Sequence, residues 1–223
     1  MPQIEQFMTS PPITGYGYYN PKPIVFAIVG KSASGKDYLA KTLAREISAI
    51  KPIVSWTTRP KREGEQQGVD YRFVSRKKFE KARQKGEFIE WSEFNGWCYG
   101  TPHDAIGHDL AYVGVFNLDG LYSLMKHQDA YQVIPVYMDT PWLVRLKRSV
   151  KREGKLTPEM VRRMFADHQD FANGRYNDIK RLGRAVSLSF DYRFMEEHPD
   201  VVVSTVWSYV RLLLENYRLG NPE

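Results

Sequence analysis

The chain has 223 residues, 42% of them hydrophobic, 13% aromatic and 26% charged, a profile that excludes disorder, collagen and coiled coil as readings of the whole. Its longest clean apolar run, Ile24 to Val29, falls far short of the roughly 18 to 20 residues that span a bilayer, so no membrane passage is expected. The net charge of +6 is concentrated: residues 145–163 hold eight basic groups against Glu153 and Glu159, and the remainder balances, which fits a local polyanion such as a triphosphate at least as well as an extended nucleic-acid footprint.

Residues 1–22 carry four prolines without apolar periodicity and read as a loosely structured arm ahead of one domain over 23–223. Ile24 to Val29 reads as a strand buried on both faces of a parallel sheet. A glycine-rich turn follows, and from Tyr38 to Ile50 the apolar positions Leu39, Leu43, Ala44, Ile47 and Ile50 predict a helix stopped by Pro52. Strands are predicted at Ile53 to Ser55, Tyr71 to Val74, Glu87 to Trp91, Trp97 to Tyr99, Tyr112 to Phe116 and Gln132 to Met138. Thr140 before Pro141 and Thr157 before Pro158 each place a capping hydroxyl ahead of a proline, so helices are expected to start at 141 and 158. Val201 to Val203 reads as a last strand and Val206 to Tyr217 as a last helix, whereas 172–198 shows no clean period.

Gly30 to Asp37 matches G-x-x-x-x-G-K-[ST] except at its last position. Between a buried strand and a helix, such a loop turns successive backbone N–H groups and the helix N-terminus onto phosphates, while its lysine reaches the β- and γ-oxygens. Gly30, Ser32, Ala33, Ser34, Gly35, Lys36, Asp37 and Tyr38 are therefore the candidate ATP phosphate-binding residues, set against a plain glycine turn. Asp37 stands where a hydroxyl normally meets Mg²⁺. A carboxylate there is either a direct metal ligand or a helix N-terminal anion favoured by the dipole.

The stretch 55–73 carries Ser55, Thr57, Thr58, Arg59, Arg62, Gly64, Glu65, Gly68, Tyr71 and Phe73. It resembles the guanylate kinase family, matching every fixed position of S-x-T-T-R-x-x-R-x-G-E-x-x-G-x-x-Y-x-F. Residues 86–91, from Gly86 to Trp91, and 98–101, from Cys98 to Thr101, look like the same family's G-E-F-x-E-W and Y-Y-G-T/S signatures, and the resemblance spans roughly residues 24–165. Two arginines three apart can clamp a monophosphate bidentately, with hydroxyls of Ser55, Tyr71 and Tyr99 completing its hydrogen bonds. The resemblance implies that these five residues hold the acceptor phosphate, and that Glu90 and Thr101 read guanine. Taken alone, Arg59 and Arg62 would suit a solvated turn with loose ion pairs to Glu63 or Glu65, and Glu90 an exposed strand charge. Aligning the glycines of 113–120 puts Asn117 where the family carries an aspartate near the purine.

Arg145, Arg148 and Arg152 recur at helical spacing and Arg162 and Arg163 follow on the next helix, an arrangement similar to the lid of nucleoside monophosphate kinases. Lys36, Arg148, Arg152 and Arg163 are the candidate catalytic residues, whereas Lys147, Lys151 and Lys155 suit a charged helix face. The five histidines (His103, His108, His127, His168 and His198) form no ligand pair, and phosphoryl transfer between phosphates needs no strong base. The lone cysteine, Cys98, excludes an internal disulfide and a thiolate zinc site and reads as a packed or partly exposed thiol; no charged-then-apolar signal pattern opens the chain, so a cytoplasmic setting is expected.

The expected fold is an α/β P-loop NTPase-type parallel sheet flanked by helices, with an inserted NMP-binding subdomain at about 55–105 and an arginine-rich lid at about 141–163. The expected reaction is Mg²⁺-assisted transfer from ATP to GMP or dGMP. Alternatives are the same chemistry on another nucleoside monophosphate, a catalytically silent protein-binding module of this family, and a nucleic-acid-stimulated NTPase. Ribo or deoxy preference and oligomeric state are not legible in the sequence.

Overall fold

The computed structural model describes residues 22–172, apart from 95, 108, 128 and 139, together with residue 208. The arm expected at 1–22 and the strand and helix expected beyond 200 fall outside the described residues, save Lys22 and Ser208. Strand β1 (Ile24–Gly30) is central in a four-stranded parallel sheet of order β2-β7-β1-β8, with β2 (Ile50–Pro52), β7 (Ala111–Val115) and β8 (Gln132–Met138). Its side chains alternate between two cores. Ile24, Phe26 and Ile28 pack with Leu39 and Leu43 of helix α1 (Lys36–Glu46), and Val25, Ala27 and Val29 with Leu118, Leu121 and Leu124 of helix α3 (Leu118–Met125). A strand covered on both faces must be apolar throughout, as this one is.

A second sheet, order β4-β3-β6-β5, comprises β3 (Trp56–Thr57), β4 (Arg72–Phe73), β5 (Phe88–Phe94) and β6 (Trp97–Pro102). Helix α2 (Arg76–Gln84) covers one face, with Phe79 stacked on Phe88 at 4.6 Å and Ala82 and Cys98 alongside. The thiol of Cys98 is buried, the packed one of the two readings, and burial pushes its pKa up. Helices α4 (Trp142–Glu153) and α5 (Pro158–Ala172) follow β8.

Three expectations are corrected. Helix α1 ends at Glu46 instead of running to Ile50: Ile47 is extended, and Ile50 to Pro52 form β2. Pro52 does not stop a helix; among the described residues it lies on the edge strand of the sheet, where its missing N–H is tolerated. Ile53 to Ser55 is not a strand. It is the link that carries the chain from the first sheet to the second, Ile53 N–H donating to Val113 O at 2.8 Å before the chain departs. Finally, Pro141 is the N-cap residue of α4 and not its first helical residue, because the Thr140 hydroxyl does not cap; it donates to Ser34 O at 2.9 Å. Thr157 does cap α5, accepting from Met160 N–H at 3.2 Å.

Candidate active site

The phosphate loop is held open by having its carbonyls turned away. Lys36 Nζ donates to Gly30 O at 2.7 Å and Lys31 O at 3.0 Å. The next three carbonyls are taken from the α4 side: Ser32 O by Arg145 at 3.4 Å, Ala33 O by Arg148 at 2.8 Å and Ser34 O by Thr140. Ala33 takes the left-handed conformation, φ 60°, and Gly35 φ 99°, the alternation that gathers backbone N–H groups into an anion-binding concavity. Gly35 supplies the second left-handed turn at no steric cost, directly before Lys36 begins α1. Burial lowers the Lys36 pKa, against the opposing fields of Asp37 and Asp167. Asp37 lies exposed in the first turn of α1.

At the other end, β5 and β6 pair antiparallel with Glu90 opposite Thr101 and Ser92 opposite Tyr99. A bulge between Phe88 and Glu90 sets the phase, so that Glu90, Ser92 and Phe94 face the same cavity. Glu90 is 5% exposed, and the Thr101 hydroxyl donates to its Oε1 at 2.6 Å. Burial pushes its pKa up to about 7 although the Thr101 bonds pull it down. Thr101 itself does not line the cavity; it stands behind Glu90, its hydroxyl 3.2 Å from that of Ser55. The helix α3 leaves room for the carboxylate through Gly120, where an added Cβ would lie 2.8 Å from Glu90 Oε2.

The loop of residues 60–69 is largely exposed, but Arg59 at its start is not solvated. Arg59, 8% exposed, is gripped bidentately by Glu65, at 2.7 and 3.1 Å, and packs against the rings of Tyr71 and Phe73. Glu65 also accepts the Arg62 N–H at 2.7 Å. Burial opposes ionisation of Glu65, but these bonds outweigh it and hold its pKa low. Burial raises the Tyr71 pKa, and the Tyr71 and Tyr99 rings meet edge-on at 6.2 Å. The Arg62 pKa is lowered by burial and then by the charges of Arg59 and Arg152, so cations from 55–73 and from α4 bear on one another.

Both ends open into one cavity of about 570 Å³. Its lining includes the expected loop residues Gly30, Ser32, Ala33, Ser34, Gly35, Lys36, Asp37 and Tyr38, the expected Ser55, Arg59, Arg62, Tyr71, Glu90, Tyr99 and Asn117, and Arg148, Arg152 and Arg163. Arg163 is turned to Glu159 at 2.9 Å. Asn117 lines the cavity and also caps α3: its Oδ1 accepts from Gly120 N–H at 2.8 Å, and its amide donates to the Ser92 hydroxyl at 2.9 Å. The Arg59–Glu65 pair is one that the residues alone suggested, although it is bidentate and not loose; sequence reasoning missed Ser92, Asp167 and the structural part played by Arg145. Strand alternation from Glu90 points to Ser92, and helical spacing from Arg163 points to Asp167.

A sequence profile described as guanylate kinase matches residues 20–179. The chain belongs to the guanylate kinase family. A guanylate kinase from Symbiobacterium thermophilum is 33% identical over 153 residues, 66% of this chain and 71% of the relative. One from Novosphingobium aromaticivorans is 36% identical over 141 residues, 62% of this chain and 64% of its own length. The crystal structure of guanylate kinase from Anaplasma phagocytophilum is similar with a TM-score of 0.60 at 22% identity, covering 91% of this chain and 98% of that one, which shows a shared fold. A guanylate kinase fold thus carries the parallel sheet, the phosphate loop and the arginine-bearing helices described above. Among the described residues no cluster of three or more His, Cys, Asp or Glu could hold a metal unaided, and no helix is long and apolar enough to cross a membrane.

Proposed function

We propose that this protein transfers the γ-phosphoryl group of ATP to GMP or dGMP. The observation that carries the reading is one cavity lined together by the phosphate loop, by Glu90 and by Arg62, Arg148, Arg152 and Arg163. Loop amides and Lys36 hold the donor phosphates, and Lys36 exchanges loop carbonyls for phosphate oxygens as they arrive. Arg59 and Arg62, with hydroxyls of Ser55, Tyr71 and Tyr99, clamp the acceptor phosphate. Its second pKa is near 6, so the nucleophilic oxyanion is present at neutral pH without a general base. Arg148, Arg152 and Arg163 neutralise charge spread over the transferred group, and alignment supplies most of the rest. Asp37, exposed in the first turn of α1 and lining the cavity beside Lys36, is a hard oxygen donor that would hold a Mg²⁺ ion brought by the triphosphate, and the ion would supply charge neutralisation there.

Glu90 reads guanine by accepting from N1–H and the exocyclic amine, with Thr101 fixing its other oxygen. Asn117 is spent on the helix cap, so discrimination falls on Glu90. In this reading residues 55–105 act as the acceptor subdomain and 141–163 as the lid, closing over both phosphates, and the buried Cys98 thiol suits a reducing, cytoplasmic setting. The test is kcat/KM for GMP, dGMP, dAMP, dTMP and dCMP with ATP as donor. A guanine nucleotide should lead by at least tenfold; a lead by any other base removes the guanine assignment.

A further inference from the structure

We propose that Asp167 is a positioning residue for the donor triphosphate, acting through the Ser32 corner of the phosphate loop. The inference rests on the reading of that loop as the ATP site. Asp167, on α5, is 3% exposed, and both its oxygens face Ser32: Oδ2 accepts the Ser32 N–H at 2.8 Å and Oδ1 the hydroxyl at 3.1 Å. Arg145, 5% exposed on α4, donates to Asp167 Oδ2 and to Ser32 O, each at 3.4 Å, and to Thr140 O at 3.2 Å. The peptide groups on both sides of Ser32 are therefore pinned, one by a carboxylate and one by a guanidinium.

That pinning matters because the next residue, Ala33, is held at φ 60°, a conformation disfavoured for any residue with a Cβ. Without a fixed Ser32 the loop would relax and its amides would no longer converge. An anion beside a phosphate site is otherwise unfavourable, and here Arg145 offsets its charge while its two acceptor oxygens do what a neutral side chain could not. The same pair joins the loop to both helices that carry Arg148, Arg152 and Arg163, so loop geometry and arginine placement share one buried fixture. Burial raises the Asp167 pKa, and the surrounding Ser32, Lys36 and Arg145 favour the carboxylate.

The test compares wild type, Asp167→Asn and the double variant Arg145→Met with Asp167→Leu. Steady-state kinetics with ATP and GMP each varied, calorimetric titration of ATP, and thermal unfolding are measured on all three. In Asp167→Asn the KM for ATP should rise at least tenfold while that for GMP stays within twofold. In the double variant an apolar pair replaces the buried ions, so the melting temperature should return toward wild type while the KM for ATP stays raised. This second variant decides the matter if the first folds poorly. Equal changes for both substrates, no change in ATP affinity, or a double variant that regains wild-type ATP affinity along with its stability would overturn the proposal and leave Asp167 a purely structural residue. Failure of the functional reading is seen separately, in a wild-type protein that neither binds ATP nor phosphorylates GMP.

Discussion

Glu90 couples base choice to pH. Moving its carboxyl from 4.5 to about 7 corresponds to about 3 kcal/mol against ionisation in the empty site, the work of placing a charge behind Gly120 with only Thr101 to answer it. Guanine restores two donors, so it binds the ionised form. With a pKa of about 7 the carboxyl is about 90% ionised at pH 8 and about 10% at pH 6. Glu90→Gln has no such titration. It should lower kcat/KM for GMP at pH 8 by about ten- to a hundredfold, the scale of a charge-assisted hydrogen bond worth about 1.5 to 3 kcal/mol. The wild-type advantage over Gln should then shrink about tenfold between pH 8 and pH 6, while the titration of the GMP phosphate, common to both proteins, cancels in the ratio. Stability runs the other way. Because the folded pKa lies above the unfolded one, the folded chain keeps a proton that the unfolded chain has shed between pH 4.5 and about 7, and nucleotide-free stability falls as pH rises through that window. Glu90→Gln should flatten that slope. A coupled ADP-release assay across pH, paired with urea unfolding without nucleotide, measures both. A wild-type to Gln ratio that does not change with pH would refute the reasoning.

Lys36→Ala should cut turnover by at least about a hundredfold while GMP affinity, read by calorimetry, stays near wild type, since the lysine serves only the donor end. Glu65→Gln removes the brace of Arg59, and GMP KM should rise about tenfold, roughly 1.4 kcal/mol, with ATP KM unchanged. Gly120→Ala should lose guanine selectivity, and gain none of the roughly 1 kcal/mol that helix propensity would otherwise add, because its Cβ would lie 2.8 Å from the buried Glu90 Oε2 and 3.1 Å from the capping Asn117 Oδ1; a nucleotide panel and thermal melts check both. A bisubstrate analogue should shrink the radius of gyration in solution scattering, as lid closure requires; an unchanged radius counts against closure.

Motifs whose chemistry is local were legible in the sequence. The strand before Gly30, the loop around Lys36 and the paired arginines are contiguous, and a buried strand, a left-handed glycine turn and a helix start leave marks within a few residues. What was illegible depends on residues brought together from afar. Asp167 reaches Ser32 across 135 positions, Thr140 reaches Ser34 across 106, and neither contact leaves a pattern in either segment. Thr140 looked like a cap because its hydroxyl precedes a proline; a carbonyl of the phosphate loop competed for that hydroxyl and won. Asn117, expected near the purine, also caps α3, a role that needs only its own helix and could have been read from the sequence. The link at Ile53 to Ser55 misled because it looks like a strand at both ends: Ile53 is buried beside Phe116 and bonded to Val113, and Ser55 O accepts from Arg72 N–H of the second sheet, so its two ends belong to different sheets.

The central claim, that one cavity joins a donor and an acceptor phosphate, is tested most directly by chromatography of the nucleotides after incubation with ATP, Mg²⁺ and GMP. ADP and GDP should appear in equal amounts with wild type, and Lys36→Ala should form almost none. ATP consumption that releases inorganic phosphate and leaves GMP intact, or GDP formed at an undiminished rate by Lys36→Ala, would contradict it.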